Sequence, residues 1–112
     1  MQYMLLIYAD PASQPEFGTE MNAGYMAFNA KAKAAGVLKA GDALQPVTTA
    51  TSIRVRGGKT ETMDGPFAET KEHLAGYYLL DCKDLDEALA YAAEIPGAKI
   101  GTIEIRPVQV FN

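Results

Sequence analysis

Tyr3-Met4-Leu5-Leu6-Ile7-Tyr8 and Ala75-Gly76-Tyr77-Tyr78-Leu79-Leu80-Asp81 are the two stretches on which the fold turns. A strand with one wet face alternates apolar and polar residues. These two are apolar at odd and even positions alike, so each is expected to be covered on both sides. Between them, Ser13 with Glu16 has capping-box spacing. Phe17, Met21, Tyr25, Phe28, Ala32 and Ala35 then recur at steps of three and four, predicting a long amphipathic helix that Gly36 stops. Val37 to Leu44 reads as a short strand with Gly41-Asp42 inside it, and Gln45 to Thr51 as a polar connector around Pro46. Ser52-Ile53-Arg54-Val55-Arg56 alternates, Gly57-Gly58 turns the chain, and Lys59 to Met63 returns as the second arm of a β-hairpin. Past the second two-sided strand, Asp84 with Glu87 caps another helix, whose expected buried stripe is Leu85, Ala88, Leu89, Ala92 and Ala93. Pro96-Gly97 ends that helix, and Thr102 to Arg106 alternates as a last, half-exposed strand.

With the hairpin set aside as an insertion, the order is βαββαβ, the ferredoxin-like α+β pattern. Its first and third core strands are central, and these are the two that read as apolar on both faces. Two helices cover one face of the sheet. A large apolar patch would stay wet on the other unless something covers it. A second copy of the chain is the simplest cover, so a homodimer is expected.

The chain is 112 residues long, which predicts a single domain spanning 1–112. Hydrophobic residues make up 48%, enough for a core, and a net charge of -4 argues against nucleic acid as a partner. No run approaches the roughly 20 apolar residues of a membrane span. The apolar N-terminus lacks a basic leader and is cut short by Asp10-Pro11, so it reads as a first strand and not a signal peptide. Cys82 stands alone, which excludes a disulfide framework and a Cys-based metal site. A soluble cytoplasmic protein without cofactor, metal or membrane partner is expected. Gly58-Lys59-Thr60 imitates the end of a phosphate loop, but the glycine needed five positions earlier is Ile53, and the context is strand–turn–strand.

Candidate chemistry gathers around Asp64-Gly65-Pro66-Phe67-Ala68-Glu69-Thr70-Lys71-Glu72. Gly65 before Pro66 reads as a fixed turn. The ring and the charges behind it exceed what a plain connector needs, so this loop is expected to border the main cleft. His73 is the only histidine and the obvious general acid or base; its bland alternative is a surface or loop-packing role. Asp64 is an acid, a substrate anchor, or a carboxylate bonding the turn's own backbone. Asp42 interrupts a strand, which places it at an edge or at a site. An imidazole beside either aspartate would be oriented and polarised. Phe67 either lines a pocket or plugs the core. Glu69, Lys71 and Glu72 form either a polar cluster at the site or a solvated rim whose opposite charges neutralise one another. Tyr3, Tyr8, Tyr77 and Tyr78 place phenols on the central strands, to bond a neighbour or to line a cavity; Tyr77 is taken with Phe67, Glu69, Lys71 and Glu72 as a candidate ligand-binding residue. Cys82 reads as a reduced, half-buried thiol.

Asp64-Gly65-Pro66-Phe67, continued by Ala68-Glu69-Thr70-Lys71-Glu72, resembles the signature of the DGPF, or YCII-related, family. Tyr3-Met4-Leu5-Leu6-Ile7-Tyr8, Gly76-Tyr77-Tyr78-Leu79-Leu80 and Arg106-Pro107-Val108 resemble the family as well, so the likeness runs nearly the whole chain. It implies a dimeric α+β barrel, in which two ferredoxin-like sheets pack face to face. The family's function is largely undetermined. The resemblance implies either a small-molecule enzyme with a His–Asp pair in a cleft, here His73 with Asp42 or Asp64, or a non-catalytic ligand- or protein-binding module linked to sigma-factor-type regulation. No histidine occurs in the first half of this chain, where some relatives carry theirs.

Overall fold

The computed structural model describes residues 1–12 and 19–111, with the side chains of 19–21 outside the description. Ser13, Glu16 and Phe17, and the side chain of Met21, therefore lie outside the described residues. The elements are β1 (Gln2–Ala9), α1 (Thr19–Ala34), β2 (Leu38–Ala43), β3 (Thr51–Arg56), β4 (Lys59–Asp64), β5 (His73–Asp81), α2 (Leu85–Glu94) and β6 (Thr102–Pro107). Four strands form an antiparallel sheet in the order β2-β5-β1-β6, and β3 and β4 pair separately as a hairpin. This is an α+β architecture of antiparallel sheets and two helices, compatible with the ferredoxin-like pattern. The two central strands are the two that read as apolar on both faces.

Register assigns the faces. Tyr3 pairs with Leu80, Leu5 with Tyr78 and Ile7 with Gly76. These form the side buried under the helices, together with Phe28 and Ala32 of α1, Ala88 and Ala92 of α2, and Ile95. Each fully buried leucine here, Leu5 and Leu80, is worth about 1.5–3 kcal/mol of apolar transfer. The residues between them, Met4, Leu6, Tyr77 and Leu79, alternate to the helix-free face and are half-buried.

Local rules explain the ends. After Ala34, Val37 N–H bonds the Ala32 carbonyl and Gly36 N–H the Lys33 carbonyl, while Gly36 takes a φ of 75°. That is a Schellman stop, and the left-handed residue it needs is glycine. Asp84 caps α2 by accepting from Glu87 N–H at 2.9 Å, and Glu87 accepts from Lys83 N–H at 3.2 Å. Gly57 and Gly58 both have positive φ, as a two-residue hairpin turn of the primed type requires.

Two packing expectations change. The buried stripe of α2 is Ala88 and Ala92, joined by Ile95 and by a half-buried Tyr91, whereas Leu85 and Leu89 are about half exposed and Ala93 is exposed. The helix is rotated so that Tyr91 meets the edge of Phe28, with centroids 6.4 Å apart at 88°. Small residues then fill the contact with the sheet, and the two leucines turn outward. Ala35, expected in the stripe of α1, is also exposed, because the chain has already left the helix at that point.

Candidate functional site

Gly41 and Tyr78 sit opposite each other across the β2–β5 seam. The Tyr78 ring lies so close over Gly41 that a Cβ there would fall 2.5 Å from Cδ1. The ring is held from above by Phe28, with centroids 4.8 Å apart. Its hydroxyl donates to Oδ1 of Asn29 on α1 at 2.6 Å. Beside this ring, between α1 and the strands β1, β5 and β2, opens a cavity of about 390 Å³. Apolar walls come from Ile7, Ala9, Leu38 and Ile100; polar groups come from Asn22, Tyr25, Asn29 and Lys33 of α1, and from Tyr78 of the sheet. An apolar hollow with a few convergent polar groups is the form small-molecule sites take.

Two phenols of the wall are shifted. Burial pushes Tyr25 up, against the opposing pull of the Gly97 backbone amide. Burial, with Tyr25 close by, pushes Tyr78 from 10.0 to about 12. Tyr78 therefore remains a neutral donor towards Asn29 at physiological pH. The sign for stability follows. Below pH 10 the phenol is protonated in folded and unfolded chains alike, and its contribution is whole. Between about pH 10 and 12 the unfolded chain loses the proton first, and stability falls. Alkaline titration followed by tyrosinate absorbance should show one late phenol near pH 12, accompanied by loosening of the fold. In Tyr78→Phe that late step should vanish; a titration unchanged in this variant would contradict the assignment.

The predicted site residues divide. Asp42 and Tyr77 border the cavity at the edge of the sheet, but their side chains alternate to the helix-free face, where the Tyr77 hydroxyl donates to Asp42 Oδ2 at 2.7 Å. That bond and the neighbouring carboxylate push the Tyr77 phenol up. Asp42 lies on an edge strand and at a cavity together, the two placements its sequence context allowed. His73 is elsewhere. It pairs with Ala9, four residues along β5 from Tyr77, or about 13 Å. The pairing also skips Ala75, with Ile7 opposite Gly76 and Tyr8 opposite Leu74. Such a bulge reverses the alternation, so His73 shares a face with Ala9 and not with Asp42. No hydrogen bond joins the imidazole to Asp42, Asp64 or any other described residue.

The signature loop stands apart from the cavity, contrary to expectation. None of residues 64–73 lines it; Thr70, Lys71 and Glu72 instead border a shallow depression with Tyr8 and Glu104. Phe67 is 83% exposed, so it neither plugs the core nor lines a pocket. Gly65 does form the fixed turn, at a φ of 95°. The turn is tied by Gly65 N–H to the Ala50 carbonyl at 2.6 Å and by the Ser52 hydroxyl to the Gly65 carbonyl at 2.8 Å. The Asp64 carboxylate makes no such bond. Glu69, Lys71 and Glu72 form no ion pair with one another. Cys82 is buried, and burial, with Glu87 and Asp81 near, pushes its thiol up, away from reactivity. No cluster of His, Cys, Asp or Glu suited to a metal occurs among the described residues, and no described helix is long and apolar enough to cross a membrane.

The YCII-related domain matches the chain over residues 1–112. An uncharacterised protein of Rhizobium meliloti strain 1021 is 39% identical over 118 residues, covering 100% of this chain and 95% of the relative. The chain belongs to the YCII-related family. Its DGPF motif, Asp64 to Phe67, is thus an exposed turn at the base of a hairpin, while the cavity of this YCII-related chain is built by α1 and the sheet. Asn22, Asn29 and Lys33 escaped the sequence reading. Their steps of seven and four run beside the core stripe of Tyr25, Phe28 and Ala32. A polar row that close to a core stripe was the available signal, but it also describes any solvated helix face.

Proposed function

We propose that this YCII-related protein is a homodimeric small-molecule-binding protein, its ligand held in the cavity between α1 and the sheet. The observation that carries the reading is the cavity itself: about 390 Å³, apolar on one side, with tyrosine, asparagine and lysine groups on the other. Binding is favoured over acid–base catalysis because His73 is remote from Asp42 and the phenols of the wall titrate above neutrality.

Dimerisation rests on the helix-free face, where Met4, Leu6, Tyr8, Tyr77 and Leu79 form a half-buried apolar centre. The accessible surface is 7908 Å², where a closed monomer of 12.0 kDa shows about 6,000 Å². The radius of gyration is 15.9 Å, against about 13 Å for a compact chain of this length. A standard interface buries about 800 Å² per partner. Two sheets packed in this way make a dimeric α+β barrel, with both cavities left on the outer, helix-bearing sides.

A thermal-shift screen of a metabolite library tests the reading, since a ligand held only by the folded state raises its melting temperature. Hits that stabilise the wild type but not Ala30→Trp, which fills the cavity from an exposed helix position, are expected. Equal stabilisation of both would place binding elsewhere.

A further inference from the structure

We propose that the ligand of this cavity is a small carboxylate with an apolar body, an inference that rests on the cavity being the binding site. Asn29 decides the polarity. Its Oδ1 is already taken by the Tyr78 hydroxyl. The two hydrogens on Nδ2 have no partner among the described residues, although the residue lines the cavity. Lys33 follows four residues later on the same helix edge and also lines it. No described carboxylate pairs with Lys33, whereas Lys31, on another side of α1, is bound to Glu94 at 2.5 Å. The helix thus offers hydrogen-bond donors and one positive charge. A carboxylate, which only accepts, satisfies both, and charge-assisted bonds are the stronger kind.

Asp42 is the group that argues for the opposite sign. Its carboxylate accepts from Tyr77. The pair alternates to the sheet face away from α1, because Gly41 and Tyr78 hold the helix side. The ligand's body would rest against Ile7, Ala9, Leu38 and Ile100. At about 390 Å³ the space is near the lower end of ligand pockets, which suits a compact acid and not a nucleotide.

The test is a titration of ¹⁵N-labelled protein with hexanoate, hexan-1-ol and hexylamine, followed by NMR. Hexanoate should shift the Asn29 side-chain amide and the backbone amides of 22–33 saturably, binding at least about tenfold tighter than the alcohol. Lys33→Glu and Asn29→Asp should each remove that advantage, so that hexanoate binds no tighter than hexan-1-ol. Both positions are exposed, and Lys33→Glu decides alone should Asn29→Asp disturb the bond to Tyr78. Equal binding of the three probes, or preference for hexylamine that Asp42→Asn abolishes, overturns the carboxylate and leaves the cavity as the binding site. Shifts confined to residues outside the cavity, or no shifts with any probe, overturn both.

Discussion

If the proposed dimer forms, Leu6→Lys is expected to leave a folded monomer of 12.0 kDa. Leu6 lies at the centre of the helix-free face, between Tyr77 of β5 and Glu104 of β6. In a barrel of two sheets that position is covered by the partner's sheet. An ammonium there would have to leave water for the partner's apolar sheet, and burying a charge costs several kcal/mol. A dimer with micromolar dissociation is held by about 8 kcal/mol, so a penalty of that size moves association beyond working concentrations. The monomer survives because its ammonium stays in water and the helix-side core is untouched. Light scattering should report twice the chain mass for the wild type and the single mass for the variant. A wild type that is monomeric at micromolar concentration would remove the barrel from the account.

Gly41→Ala should cost about 1–3 kcal/mol, the usual range for overpacking, and lower the melting temperature by roughly 5–15 °C. Gly41 has no positive φ, so the backbone itself would accept alanine. The cost is steric. The added methyl would lie 2.5 Å from Tyr78 Cδ1 and 2.9 Å from Cε1. The ring has little room to retreat, since Phe28 packs on it and Asn29 holds its hydroxyl. Calorimetry checks the loss. Gly36→Ala makes an instructive contrast: nothing lies within 4 Å of a Cβ there, so its cost comes from the φ of 75° alone. Gly41→Ala as stable as wild type would show that the Tyr78 ring is free to move aside.

The strands were legible because period two is a short, strong signal. Tyr3 to Tyr8 and Ala75 to Asp81 marked the two central strands, and Gly57-Gly58 marked the hairpin without help from tertiary contacts. Helix ends were equally readable at Gly36 and Asp84, where one residue type meets one local need. The rotation of α2 was not. Leu85 and Leu89 looked like core by hydropathy, but the sheet accepts Ala88 and Ala92 because it is close, and closeness is a tertiary property. The site was obscured for a related reason. The DGPF loop concentrates unusual residues and so drew attention, yet its Phe67 is exposed. The cavity depends on Gly41 letting the Tyr78 ring cross β2, and on a bulge at Ala75 that turns His73 from Asp42. Neither the close approach nor the skipped residue leaves a mark that periodicity detects.

The most direct test of the central claim, that the α1 cavity is the functional site, is to map compounds that stabilise the protein onto its ¹⁵N amide spectrum. The account predicts saturable shifts concentrated at Asn29, Gly41, Tyr78 and Gly97, which surround the cavity. Shifts concentrated at Asp64, Phe67 and His73, with the cavity residues unmoved, would contradict it and return the function to the signature loop.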